Sequence, residues 1–313
     1  MKYLVAGPTL VNNLVFTDGR RENSILGGAG FYAYSGVRFY EKDSLFISGV
    51  GEDYNDYYGP WFDRNGISRD GLVIRGQHTK NSILTYDEEG DYKEVFAFDT
   101  RNMVMDSSKL LSAEDVVKHL KPDTKGLYLF GQWERTLKGA YDAAKANGTK
   151  VMWEVTPVTY LGITEYYDEF MHYVEKCDIY SFNRFEAFVI FQTDNDEEVI
   201  RRIQQIGKPC FYRIGTDGAY MVTKNECYLT PMISVVPREE EVDPTGCGNS
   251  STGAALWAYC EDYDPLMIAF LSSVMSAYNV RQYGPWPDMS EKTKEEAIAR
   301  AKALAADYRE KLK

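Results

Sequence analysis

The run Asp243-Pro244-Thr245-Gly246-Cys247-Gly248-Asn249 precedes an apolar helical stretch through Leu256, Trp257 and Tyr259, and its residue types suit the handling of an anion. Glycines at 246 and 248 let consecutive backbone N–H groups converge where a helix begins, and the helix end adds partial positive charge. Such a turn can cradle a phosphate or the charge that develops as one is transferred. It lacks the Lys-Ser/Thr ending of a P-loop, so that reading is rejected. Taken alone, the segment also reads as a tight turn in which Asn249 or Ser250 caps the helix.

Further segments of similar character punctuate the chain. Gly27-Gly28-Ala29-Gly30 opens an early helix, and Gly49-Val50-Gly51-Glu52-Asp53 is followed by Gly59 and by Asn65-Gly66-Ile67. Asn183-Arg184-Phe185-Glu186 follows a strand, and Gly215-Thr216-Asp217-Gly218-Ala219 joins two strands.

The elements that must position these segments alternate between short β-branched runs and helical stretches. Tyr3–Ala6, Leu45–Val50, Gly126–Phe130, Lys150–Val155, Asp178–Phe182 and Pro209–Ile214 read as strands, with Tyr54–Asn65, Glu134–Asn147 and Asn195–Ile206 as helices between them. This pattern predicts an α/β fold with a mostly parallel central sheet flanked by helices, whose ligands sit beyond the carboxyl ends of the strands. Leu14–Leu26 and Leu72–Phe98 break the rhythm with polar/apolar alternation and turn signals at Asp18-Gly19 and Glu89-Gly90-Asp91. They are expected to form a small antiparallel β lid, about residues 12–26 and 72–100, within a single domain spanning 1–313. Ala297, Ala301, Leu304 and Tyr308 recur at helical spacing in Lys292–Lys313, a closing surface helix.

With five such motifs in this order, the chain resembles the ribokinase-like (PfkB) family of carbohydrate and nucleoside kinases over essentially its whole length. The resemblance implies a ribokinase-like fold with a β lid over the acceptor, ATP as phosphoryl donor, and a small sugar-like or nucleoside-like alcohol as acceptor. It implies that Gly246, Cys247 and Gly248 form an anion hole for the transferred phosphoryl group, since phosphoryl transfer depends mainly on positioning and charge neutralisation. Asn183 and Glu186 match an Asn-x-x-Glu motif that organises Mg2+ and the nucleotide phosphates, Glu186 acting on the metal through water. Gly215 and Gly218 match the nucleotide loop, with Arg213 standing where the family has a threonine. Gly27, Gly28, Asn12 and Tyr32 fall on the acceptor side, and Arg101 and Gln132-Trp133-Glu134 are further candidates for the pocket wall. A monovalent cation near the segment beginning with Asp243, and a homodimer through the lid, belong to the same set of expectations.

Several positions depart from the family pattern. Asn249 replaces the aspartate that accepts the proton of the attacking hydroxyl, and a neutral carboxamide cannot take that proton. General-base catalysis is typically worth about 10²–10⁴ in rate, so the change alone is expected to slow turnover without abolishing binding. The proton must then go to solvent, to the phosphate itself or to Asp243. Asn12 stands in place of an acceptor-gripping aspartate, Tyr32 in place of an asparagine, and Glu154 in place of an aspartate at a strand end. Two readings follow: a kinase that transfers phosphoryl to a hydroxyl, and a pseudokinase that keeps the nucleotide cleft for binding or regulation.

Composition narrows the field. The 313 residues carry 35 Lys+Arg against 47 Asp+Glu, 35 − 47 = −12, with no basic run to release counterions from a phosphate backbone, so nucleic acid is not an expected partner. The most apolar stretch, Pro265–Val280, is interrupted by Ser272, Ser273 and Ser276, which argues against a membrane span of roughly 20 apolar residues. The short apolar run before Gly7-Pro8 does not suit a signal peptide, and a cytoplasmic location is expected. Cys177, Cys210, Cys227, Cys247 and Cys260 form no metal-ligand spacing, and His78, His119 and His172 sit in ordinary surroundings.

Overall fold

The computed structural model describes residues 1–87, 92–97, 111–130, 138–155, 163–231 and 235–311. The first half runs β1 (Tyr3–Ala6), β2 (Leu10–Val15), β3 (Arg21–Gly27), α1 (Ala29–Tyr40), β4 (Ser44–Val50), α2 (Tyr54–Arg64), β5 (Leu72–Ile74), β6 (Asn81–Tyr86), β7 (Tyr92–Ala97) and α3 (Ala113–Val117). It continues with β8 (Gly126–Phe130), α4 (Lys138–Asn147), β9 (Lys150–Glu154), α5 (Ile163–Val174), β10 (Ile179–Asn183) and α6 (Arg184–Phe191). Then come α7 (Asp196–Ile206), β11 (Cys210–Arg213), β12 (Ala219–Val222), β13 (Cys227–Thr230), α8 (Cys247–Cys260), α9 (Pro265–Asn279) and α10 (Glu291–Lys311).

Nine strands form one sheet in the order β13-β12-β11-β10-β9-β8-β1-β4-β5. From β11 to β5 every neighbouring pair is parallel, and only β12 and β13 run antiparallel to their neighbours. Tyr3-Leu4-Val5-Ala6 shows why: the strand is apolar throughout because helices cover both faces. Its side chains alternate, Tyr3 and Val5 packing with α1, α8 and α9 while Leu4 and Ala6 join the core under α4, α5 and α6.

The second sheet has the order β3-β2-β6-β7. It is the expected lid, although β2 and β6 pair in parallel, so only its two outer pairings are antiparallel. Residues 72–74, read from the sequence as lid, extend the large sheet beside β4 instead, because Leu72 and Val73 are half-buried there against Ser48 and Gly49. Asn12 to Leu26, Asn81–Tyr86 and Tyr92–Ala97 carry the lid proper; residues 88–91 and 98–100 lie outside the described ones.

Helix α8 is buried on almost every side, wedged between α1 and α9. Its close approach to α1 rests on two glycines, since a methyl at Gly36 would overlap the Ser250 carbonyl and one at Gly253 the Ala33 carbonyl. Tyr40 stacks on Trp257 nearby, centroids 4.4 Å apart. That rigid packing fixes where α8 begins, at the carboxyl ends of β9, β10 and β11.

Candidate active site

Three neighbouring parallel strands end in chemistry-bearing residues: β9 in Glu154, β10 in Asn183 and β11 in Arg213. Ser181 lies opposite Glu154 in the ladder and Asn183 opposite Arg213. Facing them, Gly246 is the N-cap of α8 at φ +78°, a conformation in which only glycine is at ease. No side chain caps this helix. The alternative reading of Asn249 or Ser250 as a cap therefore does not hold, and the hydroxyl of Ser250 donates to the Cys247 carbonyl instead. Of the three expected anion-hole residues, Cys247 has its own N–H on the Pro244 carbonyl at 3.1 Å.

Asn249 turns its side chain toward β9, where Nδ2 donates to Glu154 Oε1 at 2.7 Å. The same oxygen lies 2.8 Å from Arg213 Nη2, and Tyr128 donates its hydroxyl to Glu154 Oε2. Arg213 also donates Nε–H to Ser181 Oγ at 3.1 Å, and Ser181 in turn meets Thr252 Oγ1 of α8 at 3.1 Å. Glu154 is only 1% exposed. Burial pushes its carboxyl above the ordinary range, and Arg213, Tyr128 and Asn249 pull it back. Glu186 Oε2 lies 3.9 Å from Arg213 Nη2. Burial raises the Glu186 carboxyl to about 7 against the opposing pull of Arg213. Sequence Asn-x-x-Glu here builds a reciprocal cap on α6: Asn183 Oδ1 accepts the Glu186 N–H at 2.9 Å, and Glu186 Oε2 accepts the Asn183 N–H at 2.7 Å.

Beside this cluster lies a cavity of about 210 Å³, lined among others by Arg213, Gly215, Gly218, Cys247 and Gly248. The structure thus brings together the glycine turn of α8, the β11–β12 loop and the strand-end charges, three regions separated by up to some tens of residues in the chain.

The acceptor-side residues form a second group. Asn12 Oδ1 accepts from Ser82 Oγ at 3.0 Å, across the β2–β6 pair. Tyr32 is 2% exposed and its ring lies flat against Gly246, where a methyl group would overlap it. Its hydroxyl is buried without a hydrogen-bond partner among the described residues. Gly28 is the N-cap of α1 at φ +96° and Gly27 closes β3 next to the Asn12 amide. Asp243 accepts the Thr245 N–H on Oδ1 at 2.9 Å, holding its own turn, while Oδ2 is buried without a partner among the described residues. Arg101 and Gln132-Trp133-Glu134 lie outside the described residues.

Arg213, which stands where the family has a threonine, and Glu154, an acid in place of an acid, pair with one another and with Asn249, a meeting the sequence alone does not reveal. The available signal was modest: an acid ending the apolar run Val-Met-Trp-Glu and a base ending Cys-Phe-Tyr-Arg, unlike charges at corresponding strand ends.

The chain is similar to known proteins along most of its length. Residues 22–306 match the pattern described as pfkB family carbohydrate kinase. The uncharacterised protein C16C9.01c of Schizosaccharomyces pombe is 22% identical over 320 residues, covering 91% of this chain and 85% of its own. A structure from Escherichia coli assigned as a ribokinase II, with ATP and Mg2+, superposes with a TM-score of 0.77 at 22% identity, covering 96% of this chain and 99% of that one. The nucleoside kinase of Burkholderia thailandensis, with inosine, gives a TM-score of 0.72 at 18% identity over 96% and 97% of the two chains.

Proposed function

Because the chain belongs to the pfkB family of carbohydrate kinases, we propose that it binds ATP in the cavity between the 215–218 loop and the Gly246–Gly248 turn and transfers its terminal phosphoryl group to a hydroxyl of a small sugar-like or nucleoside-like compound. The observation that carries this reading is the uncapped, glycine-led start of α8 at the wall of that cavity. Backbone amides of the turn other than that of Cys247, which is already bonded to the Pro244 carbonyl, together with the positive helix end stabilise charge on the phosphoryl group without reorganising. The acceptor oxygen bonds to phosphorus as the bridging bond to ADP breaks, and the hydroxyl proton leaves with solvent or on a phosphoryl oxygen. Asn249, its Nδ2 held by Glu154, is left with Oδ1 to accept a hydrogen bond and orient the hydroxyl. Asp243 is assigned a structural part, its Oδ1 already holding the Thr245 amide.

The metal expectation can be weighed on the same geometry. The carboxylate that would attract a hydrated Mg2+, Glu186, is capped onto α6 and lies 3.9 Å from an arginine, and no group of three acidic, His or Cys side chains among the described residues could hold a metal. Among the described residues there is no direct ligand set for a divalent ion, the nearby Arg213 competes with the water-mediated role expected of Glu186, and no step is routed through a metal. A monovalent cation is better matched: Asp243 Oδ2 and Asn279 Oδ1 are buried oxygens without partners among the described residues, and we assign them to it. The reading extends to a homodimer through the small sheet, whose paired Ile83 and Val95 are exposed on one face, and to a cytoplasmic location.

A second reading, a pseudokinase, is favoured by one observation: the base position holds an amide tied to Glu154 while Tyr32 packs over Gly246. ADP release with ATP across sugars, sugar phosphates and nucleosides separates the two. Acceptor-dependent turnover supports the kinase; a silent panel, with nucleotide still raising the melting temperature by mass action, supports the pseudokinase.

A further inference from the structure

The end of the cavity beside the glycine turn of α8 has a cation of its own. Arg213, at the carboxyl end of β11, is 12% exposed in its side chain and holds Ser181 through Nε and Glu154 through Nη2. Its Nη1 makes no hydrogen bond among the described residues. That nitrogen lies against the anion-hole turn: a methyl group at Gly248 would stand 2.5 Å from it. Arg213 and Gly248 line the same cavity as Gly215 and Gly218.

Glu154 and Glu186 stand behind Arg213, 2.8 and 3.9 Å from its Nη2, and in their charged forms would repel a polyphosphate unless something neutralised them. A hydrated divalent ion is one solution, and a guanidinium between the two carboxylates is another. The planar fork of arginine can bind a carboxylate on one edge and a phosphate on another, and such charge-assisted bonds are among the stronger ones. Resting on the nucleotide reading above, we infer that Arg213 does the work of the metal here: it neutralises Glu154 and Glu186 and offers Nη1 to the terminal phosphates, so that a nucleoside di- or triphosphate binds in its metal-free form.

Calorimetric titration of the full chain with ATP and ADP, in chelator and again in excess Mg2+, tests this. Native affinities are expected to agree within about threefold between the two conditions, and Arg213→Thr is expected to lose about tenfold or more in chelator and to regain part of it with Mg2+. Arg213→Thr strands the buried Glu154 carboxylate, so Arg213→Thr/Glu154→Gln is measured beside it and is expected to show the same metal-free loss if the single variant does not fold. Native binding only when Mg2+ is present, or metal-free binding by the double variant equal to native, would overturn the assignment and leave the nucleotide reading standing. No binding by the native chain in either condition would overturn the nucleotide reading and this inference with it.

Discussion

Asn249 Nδ2 donates to Glu154 Oε1 across 2.7 Å, tying the first turn of α8 to the end of β9. The carboxylate of the cleft therefore sits on the strand, and the neutral group on the helix. This arrangement governs what restoring an aspartate at the helix position does.

Asn249→Asp removes a donor from Glu154 and places a second carboxylate beside it. Arg213 is already shared between Glu154 and Glu186, so a third carboxylate leaves the cluster short of positive charge, and the variant is expected to lose about 3 kcal/mol. Asn249→Asp/Glu154→Gln reverses the bond, glutamine donating to aspartate, and is expected to recover most of that loss and to release ADP faster than the native chain with a working acceptor. Thermal unfolding and ADP release of the two variants check both halves; a single variant as stable as native would contradict the pairing.

Gly248→Ala drives a methyl group into Arg213 Nη1. The guanidinium is held by Glu154 and Ser181, so it cannot swing away freely. A cost of about 1–3 kcal/mol is expected from overpacking. The rise in melting temperature on adding nucleotide should also disappear, which differential scanning fluorimetry would show.

The pH dependence of stability follows from Glu186. Its folded value, about 7, lies above the ordinary carboxylate value of 4.5, so the folded state binds the proton more tightly. Stability from this group is present at low pH and declines as pH rises from about 4.5 to about 7. Glu186→Gln keeps an acceptor for the Asn183 amide and removes the titration. Melting temperatures from pH 5 to 8 should show a native-minus-variant difference that shrinks or turns negative as pH rises; a constant difference would place the Glu186 carboxyl in the ordinary range.

Tyr32→Phe deletes a buried hydroxyl that has no partner among the described residues. Unsatisfied polar groups cost roughly 1–3 kcal/mol when buried, so the free protein is expected to keep or gain stability. If the hydroxyl serves the acceptor, the melting-temperature response to that acceptor should weaken in the variant while the response to nucleotide stays. An unfolding curve shifted several degrees downward would instead mean that the hydroxyl has a partner in solution.

Much of this protein is written in local patterns. The apolar run of β1, the four-residue spacing of Ala297, Ala301 and Ala305 on α10, and the Asn183/Glu186 cap are set by neighbours in the chain, and periodicity or spacing reveals them. The glycines before α8 belong with them, because a residue at φ +78° must be one that tolerates it. Pairing is different. That residues 72–74 join the large sheet, and that β2 lies parallel to β6, depends on which edges are open once the chain has folded.

The site divides in the same way. Its residue types, and the loss of a carboxylate at position 249, were determined by the sequence, since a side chain's chemistry travels with it. What only the tertiary structure decided is which charges meet: Glu154, Arg213 and Asn249 stand far apart in the chain and reach hydrogen-bonding distance because three parallel strands end beside one buried helix. Electrostatics and hydrogen bonding depend on separations of a few ångströms in a dry interior, and that quantity exists only after packing has fixed the strand ends and the start of α8.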